Sequence, residues 1–324
     1  MHSSKLLAAA TFATAIALPS AQAAQTAPTV FPEKPVRLVI GSAPGSGPDI
    51  ISRALAERLY GAWGQRVVVD SRPGVAGILS ADLVLRSPAD GYTWMMLTSQ
   101  LMVATAVYPN VKFNLDKDFA SASLIGTVPF VLAVSNELPV KSVRELIDYA
   151  KKTPLKYGSA GTGASEHLSG VLFAKLTGTD LLHIPYKGVA EATAATMGRE
   201  VNMTWVVVPA IIGAIQSGRV RAIGVTGPKR NVLLPDVPPI SETVPGYQTW
   251  GWYSIVMPKG VPEPVLAKAS AEIARIVRDP QFGEQLKGLG LDIVGSSRAE
   301  LDQFRAEQRR QLTEIVKISG VDVK

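Results

Sequence analysis

The sequence predicts an α/β protein of two lobes, in which mostly parallel sheets flanked by helices enclose a ligand cleft. The first observation is that short β-branched runs alternate with helical patterns, as they do in parallel sheets. The second is that segments rich in Gly, Ser and Thr follow these runs, at the strand ends where open α/β sheets bind ligands. The third is length, because a chain of roughly 300 residues exceeds what one hydrophobic core usually fills.

The N-terminus has the three parts of a secretory signal peptide, residues 1–23. Lys5 gives a positive start, residues 6–18 form an uncharged apolar run, and Ala21-Gln22-Ala23 places small residues two apart. The alternative is a membrane anchor, but the run is shorter than the about 20 residues that span a bilayer. We expect cleavage after Ala23 and a periplasmic protein.

Composition excludes several classes of function. The chain has no cysteine, which excludes disulfides, thiol catalysis and cysteine-ligated zinc. Its formal net charge of +6 is spread along the chain and falls by one, to +5, when Lys5 is removed. Because no run of five or six like charges occurs, we expect no nucleic-acid partner. The positive charge either helps an anionic ligand to arrive or serves solubility alone.

The first predicted unit is a strand, a Gly-rich loop and a helix. Residues 36–40 are a β-branched apolar run, and residues 41–48 contain too many Gly, Ser and Pro for regular structure. Asp49 then precedes a helical pattern, and we expect its carboxylate to cap the helix. The same order recurs along the chain. Further strands are predicted at residues 67–69, 92–97, 156–159, 181–185 and 220–226. Helices are predicted at residues 80–86, from near 165 through 173 and from near 191. Residues 262–317 are predicted to form helices with a short strand at 292–294.

Two longer apolar stretches, residues 125–134 and 250–257, are of strand type and are expected to cross between the lobes. The chain would then leave the first lobe once and return to it once. Lobe 1 is therefore predicted as residues 24–125 plus 255–324, and lobe 2 as residues 126–254.

Four loop segments are candidate ligand sites. A Gly-rich turn that opens a helix exposes unpaired N–H groups, and the helix dipole adds positive charge, so residues 41–48 can bind an anion. The alternative is an ordinary turn between a strand and a helix. The loops at residues 158–167, with Thr162 or Ser165 as the expected helix cap, and 185–190 have the same character. The fourth segment, residues 98–100, presents three polar side chains at a strand end. The candidate ligand-binding residues are Ser42, Ala43, Gly45, Ser46, Gly47, Thr98, Ser99, Gln100, Ser159, Ala160, Gly161, Thr162, Ser165, Tyr186, Lys187, Gly188 and Ala190.

The spacings that mark catalytic, nucleotide or metal sites do not occur. The glycines of residues 41–47 form GxxxGxG, not the dinucleotide pattern GxGxxG, and there is no P-loop, GxSxG or HExxH. A triad of Ser159, His167 and Glu166 can be drawn, but we expect His167 to pack on or cap its own helix and His183 to pack within a strand. We therefore predict a binding protein without enzymatic activity, cofactor or metal.

Short motifs stand in order along the chain that follows the predicted cleavage site. They are Phe31-Pro32-Glu33-Lys34-Pro35, Ala43-Pro44-Gly45 with Asp49 and Arg53, Gly64-Gln65 with Val67-Val68-Val69, Arg72-Pro73-Gly74 with Ala76-Gly77, Asp90-Gly91-Tyr92-Thr93, Asp118-Phe119, Ser159-Ala160-Gly161, His167-Leu168 and Pro185-Tyr186-Lys187-Gly188. In this order and spacing the chain resembles the extracytoplasmic receptors of tripartite tricarboxylate transporters, called the Bug family. The resemblance implies a type II periplasmic-binding-protein fold, in which two α/β lobes close on a ligand.

The resemblance also implies how a ligand is held and passed on. One carboxylate of a small acid would be bound by amides and hydroxyls of residues 42–47, 159–165 and 187–190, often through bridging waters, with residues 98–100 on the wall. The partner would be a membrane permease of two subunits, and we expect the receptor to be a monomer. The alternative is a sensor of the same fold that docks on a signalling receptor.

The chain departs from the family at the first loop. Family members usually carry Pro and an aromatic residue at the positions of Gly41-Ser42, and two glycines at those of Gly45-Ser46. Loss of the aromatic residue opens volume, and both changes add hydroxyls. We therefore hypothesise a pocket for an aromatic (di)carboxylate such as terephthalate. Nicotinate-like acids are another candidate, and aliphatic di- or tricarboxylates such as citrate are the alternative.

Overall fold

A mixed β-sheet with helices on its faces forms the framework of the chain. The structure is a computed structural model, and it describes residues 31–108 and 110–319. The predicted signal peptide lies outside these residues. The predicted α/β class is confirmed. The strands are β1 (Val36–Ile40), β2 (Val67–Ser71), β3 (Thr93–Thr98), β4 (Phe119–Ser135), β5 (Leu155–Ser159), β6 (Leu181–Pro185), β7 (Met203–Val207), β8 (Val220–Val225), β9 (Trp250–Pro258) and β10 (Asp292–Ile293).

The helices follow the strands closely, as the alternation predicts. They are α1 (Gly47–Trp63), α2 (Ile78–Leu85), α3 (Ser99–Val107), α4 (Leu115–Asp118), α5 (Val143–Ala150), α6 (Ser165–Thr177), α7 (Val189–Met197), α8 (Val208–Gln216), α9 (Glu263–Val277), α10 (Pro280–Lys287) and α11 (Arg298–Ser319). Within the described residues, no helix is both long and apolar enough to cross a membrane.

Helix α1 illustrates how local sequence sets these elements. Pro48 stands in its first turn, where the missing N–H removes no helical hydrogen bond. Gly64 ends the helix in the left-handed conformation, with φ of 67°, and its N–H donates to the carbonyl of Tyr60 at 2.8 Å. The face that carries Ile51, Leu55 and Leu59 is buried against the sheet, so the helix is held mainly by its apolar stripe.

The expectation of mostly parallel sheets is only half met. Strands follow the order β2-β1-β3-β9-β4-β7-β5-β6, with β8 and β10 also paired to β4. Of the nine strand pairings among the described residues, four are parallel and five are antiparallel. Every antiparallel pairing includes β4 or β9. The parallel pairings join strands connected through helices, whereas β4 and β9 are the two long strands that traverse the sheet.

Strand β4 changes partners midway along its length. Its first part pairs with β9 as far as Pro129, opposite Trp250. From Phe130 onward it pairs with β7 and, one residue later, with β8. At the change, the Phe130 N–H donates to the hydroxyl of Thr226 at 2.9 Å, and the Thr226 N–H donates to the Phe130 carbonyl at 2.9 Å. The predicted lobe boundaries near this point stay a prediction.

Separate apolar cores lie on the two sides of this change of partners. One joins β1, α1, β3, β9 and α9, with Leu38, Leu55 and Ile273 fully buried. Another joins the second part of β4 with α5, β5, α6 and β7, with Trp205 and Phe173 at its centre. Each core packs against its own set of strands. The residues between the two cores belong to neither, and a cleft can form there.

Candidate functional site

A cavity of about 260 Å³ lies where the ends of β1, β3 and β5 meet the crossing strands β4 and β9. That volume is near the lower end of the range of small-molecule sites, about 300 Å³. Its lining residues are Gly41, Ser42, Ser46, Gly47, Pro48, Ala76, Gly77, Met95, Met96, Thr98, Ser99, Gln100, Leu101, Val128, Phe130, Ala160, Ser165, Glu166, Val189, Val207, Gly251 and Tyr253. In this part of the described chain, none of the lining residues is Lys, Arg or His.

The loop between β1 and α1 supplies the polar groups of one wall. The Ser42 hydroxyl oxygen is buried and has no hydrogen-bond partner among the residues that the structure describes, which is costly unless a ligand or water pairs with it. Beside it, the first helical hydrogen bond runs from the Ile50 N–H to the Ser46 carbonyl at 3.0 Å. The N–H of Gly47 precedes that bond and points out of the helix start, where the dipole favours negative charge.

Gly41 shows why this loop has its sequence. A Cβ atom at position 41 would lie 2.6 Å from the Gly77 Cα and 2.8 Å from the Ser80 hydroxyl. The backbone of the first loop therefore passes directly against the loop that follows β2, and only glycine fits at the crossing. This contact brings the glycines of both loops into the same cavity wall.

Asp49 supports this loop, but it does not cap α1 as we expected. Ser46 holds the N-cap position and makes no side-chain cap. The Asp49 carboxylate instead accepts the Gly45 N–H at 2.9 Å and forms an ion pair with Arg53, with Nη2 to Oδ1 of 2.9 Å. The pKa of Asp49 is held below its ordinary value, chiefly by the Arg53 hydrogen bond, against the effect of burial.

We expect Asp49→Ala to lower the free energy of unfolding by about 1–3 kcal/mol, because the mutation removes a buried carboxylate that accepts the Gly45 N–H and holds the loop. Arg53→Ala should cost no more than about 1 kcal/mol, since the Arg53 side chain is largely exposed and its pairing is screened. Urea denaturation of both variants measures the difference. Equal losses in the two variants would contradict a loop-supporting role for Asp49.

Two histidines hold the loop between β5 and α6. The Nδ1 of His167 accepts the Gly163 N–H at 3.1 Å, and the Nε2 of His183 lies 2.7 Å from the Ser159 hydroxyl. The two rings are stacked with centroids 4.0 Å apart. The expectation that Thr162 or Ser165 caps α6 is wrong, because Ala164 occupies the N-cap and makes no side-chain cap. Of the two roles expected for His167, packing on its own helix or capping it, the buried ring takes the first and braces the loop before the helix.

The histidine contacts also bear on the triad drawn from the sequence. Ser159 bonds to His183 and to the backbone of Gly161, and its side chain is fully buried away from the cavity lining. The Nδ1 of His167 is occupied by Gly163, so the drawn triad is not assembled. Among the described residues, no group of His, Asp and Glu is placed to hold a metal ion.

Glu166 is the one carboxylate in the cavity lining of the described chain. Burial raises its pKa above the ordinary value, against the effect of its own backbone N–H. The same charge, after burial, helps to raise the pKa of Tyr253 to about 12. The Tyr253 hydroxyl lies beside the start of α1, because a Cβ atom on Gly47 would be 3.2 Å from it. The cavity is therefore lined both by the start of α1 and by an acid.

Eight of the predicted ligand-binding residues line this cavity: Ser42, Ser46, Gly47, Thr98, Ser99, Gln100, Ala160 and Ser165. The structure places nine others off its lining: Ala43, Gly45, Ser159, Gly161, Thr162, Tyr186, Lys187, Gly188 and Ala190. Several of these groups have partners already. The Gly45 N–H is bonded to Asp49, and the Lys187 N–H donates to the Glu191 carboxylate at 3.1 Å. Thr98 lines the cavity, but its hydroxyl also caps α3 by accepting the Leu101 N–H.

The lining also contains residues that sequence reasoning did not select. Val128 and Phe130 alternate on β4, and Gly251 and Tyr253 alternate on β9, so each pair faces one side of the sheet. Both stretches were predicted as strands that cross between lobes. Alternate residues of a crossing strand face the cleft, and this signal could have identified them. Glu166 lies on a helix, and no pattern in the sequence indicated that it would line the cavity.

Solved structures share the whole fold of this chain. The R. palustris protein Rpa4515, solved with adipate, is 31% identical and has a TM-score of 0.81, covering 90% of this chain and 99% of its own. MatC (Rpa3494) from Rhodopseudomonas palustris, solved with bound malate, is 26% identical and has a TM-score of 0.75, covering 88% and 100%. The fold is thus shared with proteins that were solved with the dicarboxylates adipate and malate.

Sequence comparisons give the same result for the family. A protein encoded in the tcbD-tcbE intergenic region of Pseudomonas sp. (strain P51) is 35% identical over 285 residues, which are 86% of this chain and 85% of that protein. The family model described as the tripartite tricarboxylate transporter family receptor matches residues 51–321. The resemblance read from the ordered motifs is confirmed, and the chain belongs to the receptor family of the tripartite tricarboxylate transporters.

Proposed function

We propose that this receptor captures a small carboxylate with an apolar, ring-sized body and delivers it to a two-subunit membrane permease. The observation that supports this proposal most directly is the Ser42 hydroxyl beside the start of α1. It is buried and has no hydrogen-bond partner among the described residues. Hydroxyls and N–H groups at a helix start are the groups that bind a carboxylate without a cation. The similar proteins solved with adipate and malate support a carboxylate ligand.

The remaining walls support an apolar ligand body. Met95, Met96, Val128, Phe130 and Val207 surround the space next to the polar loop. Methionine adapts to the face of a ring, and Phe130 offers an aromatic partner. We therefore propose an aromatic acid with a second polar end, of which terephthalate is an example. A citrate-like acid, whose body carries several charges, would meet mostly apolar atoms at these positions.

An aliphatic acid with a chain of methylenes is the second candidate. Its support is the adipate in the similar R. palustris structure, because adipate has an apolar middle between two carboxylates. The apolar walls of this cavity fit such a chain as well as a ring, so the width beside Ser42 is what separates the two ligands.

Delivery to a permease follows from the family, whose members serve tripartite transporters. We propose that the receptor acts as a monomer, that ligand favours a closed form, and that the closed form docks on the permease. A ligand shifts such an equilibrium only by its differential affinity for the two forms. The sensor alternative has the same binding step and would be supported if the liganded protein bound a signalling receptor domain instead of a permease.

We expect Ser42→Phe to weaken binding of terephthalate by about tenfold or more, because a ring at position 42 fills the space beside the helix start. Binding of adipate, which is narrower, should change much less. Ser42→Ala is the matched control, since it removes the hydroxyl and keeps the space, and it should weaken both acids modestly. Isothermal titration and melting temperatures with each acid measure these effects.

The outcomes separate the candidates. If wild type binds adipate and not terephthalate, the aromatic ligand is wrong and the carboxylate receptor stands. If no carboxylate raises the melting temperature, the proposed function itself is wrong, because a ligand at 100 times its dissociation constant adds about 2.7 kcal/mol of stability.

A further inference from the structure

Glu166 is difficult to explain in a cavity that binds only anions. It is the first-turn acid of α6, half-buried at the cavity wall. In the described residues its carboxylate has no ion pair, whereas Asp49 at the start of α1 is paired with Arg53. An ionised carboxylate removed from water needs a cation or hydrogen-bond donors to compensate it.

The groups that face Glu166 supply little of that compensation. Its own backbone N–H is a donor that lowers the pKa of the carboxyl, but burial raises that pKa by more. His167 follows it in the chain, but its Nδ1 accepts the Gly163 N–H and its ring stacks on His183, so it is held as a neutral ring. Tyr253 faces the same space, and the lining adds no Lys or Arg in this part of the chain. A cationic group on the ligand would supply the charge that this wall lacks.

We propose that the ligand is an aminocarboxylate, whose carboxylate binds at Ser42 and the start of α1 and whose protonated amine pairs with Glu166. This inference rests on the proposed carboxylate-binding function and narrows it by naming the second polar end. The Tyr253 hydroxyl stands beside Gly47 and can accept from the amine or donate to the carboxylate, so it joins the two halves of the site. An ionised diacid would instead place its second carboxylate against Glu166, and like charges repel.

The experiment compares ligands of matched shape that differ only at the second end. One pair is 4-(aminomethyl)benzoate against terephthalate, and the other is 6-aminohexanoate against adipate. Dissociation constants are measured by isothermal titration at pH 7.5 for wild type and for Glu166→Gln, which keeps the shape and removes the charge. Glu200→Gln is the control, because Glu200 is exposed, lies off the cavity lining and carries the same charge.

We expect wild type to prefer the amino acid of a pair by at least about tenfold, the effect of one charge-assisted hydrogen bond. Glu166→Gln should remove that preference by weakening the amino acid and not the diacid, and Glu200→Gln should leave it unchanged. The unliganded melting temperature of Glu166→Gln, which we expect to be at least that of wild type, shows that the variant is folded.

Two results would overturn the inference while leaving the proposed function intact. One is a wild-type preference for the diacid that Glu166→Gln does not change. The other is diacid binding that tightens steadily from pH 7.5 to 5.5 in wild type alone, since Glu166 would then act as a protonated donor to a second carboxylate. Failure of all four acids to bind would instead contradict the proposed function.

Discussion

Lowering the pH from 7 to 4 is expected to reduce the free energy of unfolding by about 3 kcal/mol through His167, with a smaller loss through His183. Burial, and then the charge of His183, lowers the pKa of His167 to about 4, and burial lowers the pKa of His183 to about 4. In the unfolded chain both rings titrate near the ordinary value of 6.5. The unfolded state therefore binds more protons between pH 6.5 and 4.

The direction of the effect follows from that difference. The stability due to the neutral rings is present in full above pH 6.5, is lost as the pH falls, and is gone below about pH 4. The contribution of His183 is smaller because its ring is partly exposed to solvent. Protonated His167 can no longer accept the Gly163 N–H, so the loop of residues 159–165 should loosen together with the loss of stability.

Urea denaturation at pH values from 4 to 7.5 measures this slope. The matched comparison is the double variant His167→Gln, His183→Gln, in which the slope over this range should be shallower than in wild type. Glu166, whose pKa is raised, acts in the opposite direction and is common to both proteins, so the difference between them isolates the histidines. An unchanged slope in the double variant would show that other groups control acid stability.

Replacing Trp205 with alanine is expected to lower the free energy of unfolding by about 3–5 kcal/mol, the usual loss for deleting a fully buried large aromatic side chain. Trp205 lies on β7 and has 0% of its surface exposed. Its ring packs at 5.6 Å between centroids against both Tyr157 and Phe173. The cavity left behind cannot close easily, because strands β4 and β5 hold β7 on both sides.

Trp205→Phe is the control, since it keeps an aromatic ring at the centre of the core and should cost markedly less than alanine. Both variants should also weaken ligand binding, because Val207 at the end of β7 lines the cavity. Denaturant midpoints at pH 7.5 provide the test. A loss below about 1 kcal/mol for Trp205→Ala would mean that this core repacks around the space.

The helices and the Gly-rich loops could be predicted from the sequence because their causes are local. Pro48 at a helix start, Gly64 at a helix end and the β-branched run of β1 act within a few residues. The ordered motifs also identified the family, since motif order belongs to the chain itself. Caps were harder to predict: Asp49, Thr162 and Ser165 are all cap-forming residue types, but none of them caps its helix.

What only the tertiary structure decided is which of these segments meet. Glu166 and Tyr253 are far apart in the chain, and the sheet brings them to one cavity with Ser42, because β9 pairs with β4 and β4 is joined through β7 to β5, the strand before α6. The antiparallel pairings of β4 and β9 depend on long-range contacts that a local pattern does not contain. The sequence by itself thus determined the fold class, the family and the candidate loops, whereas the tertiary structure placed Glu166, Tyr253 and the start of α1 on the lining of one cavity.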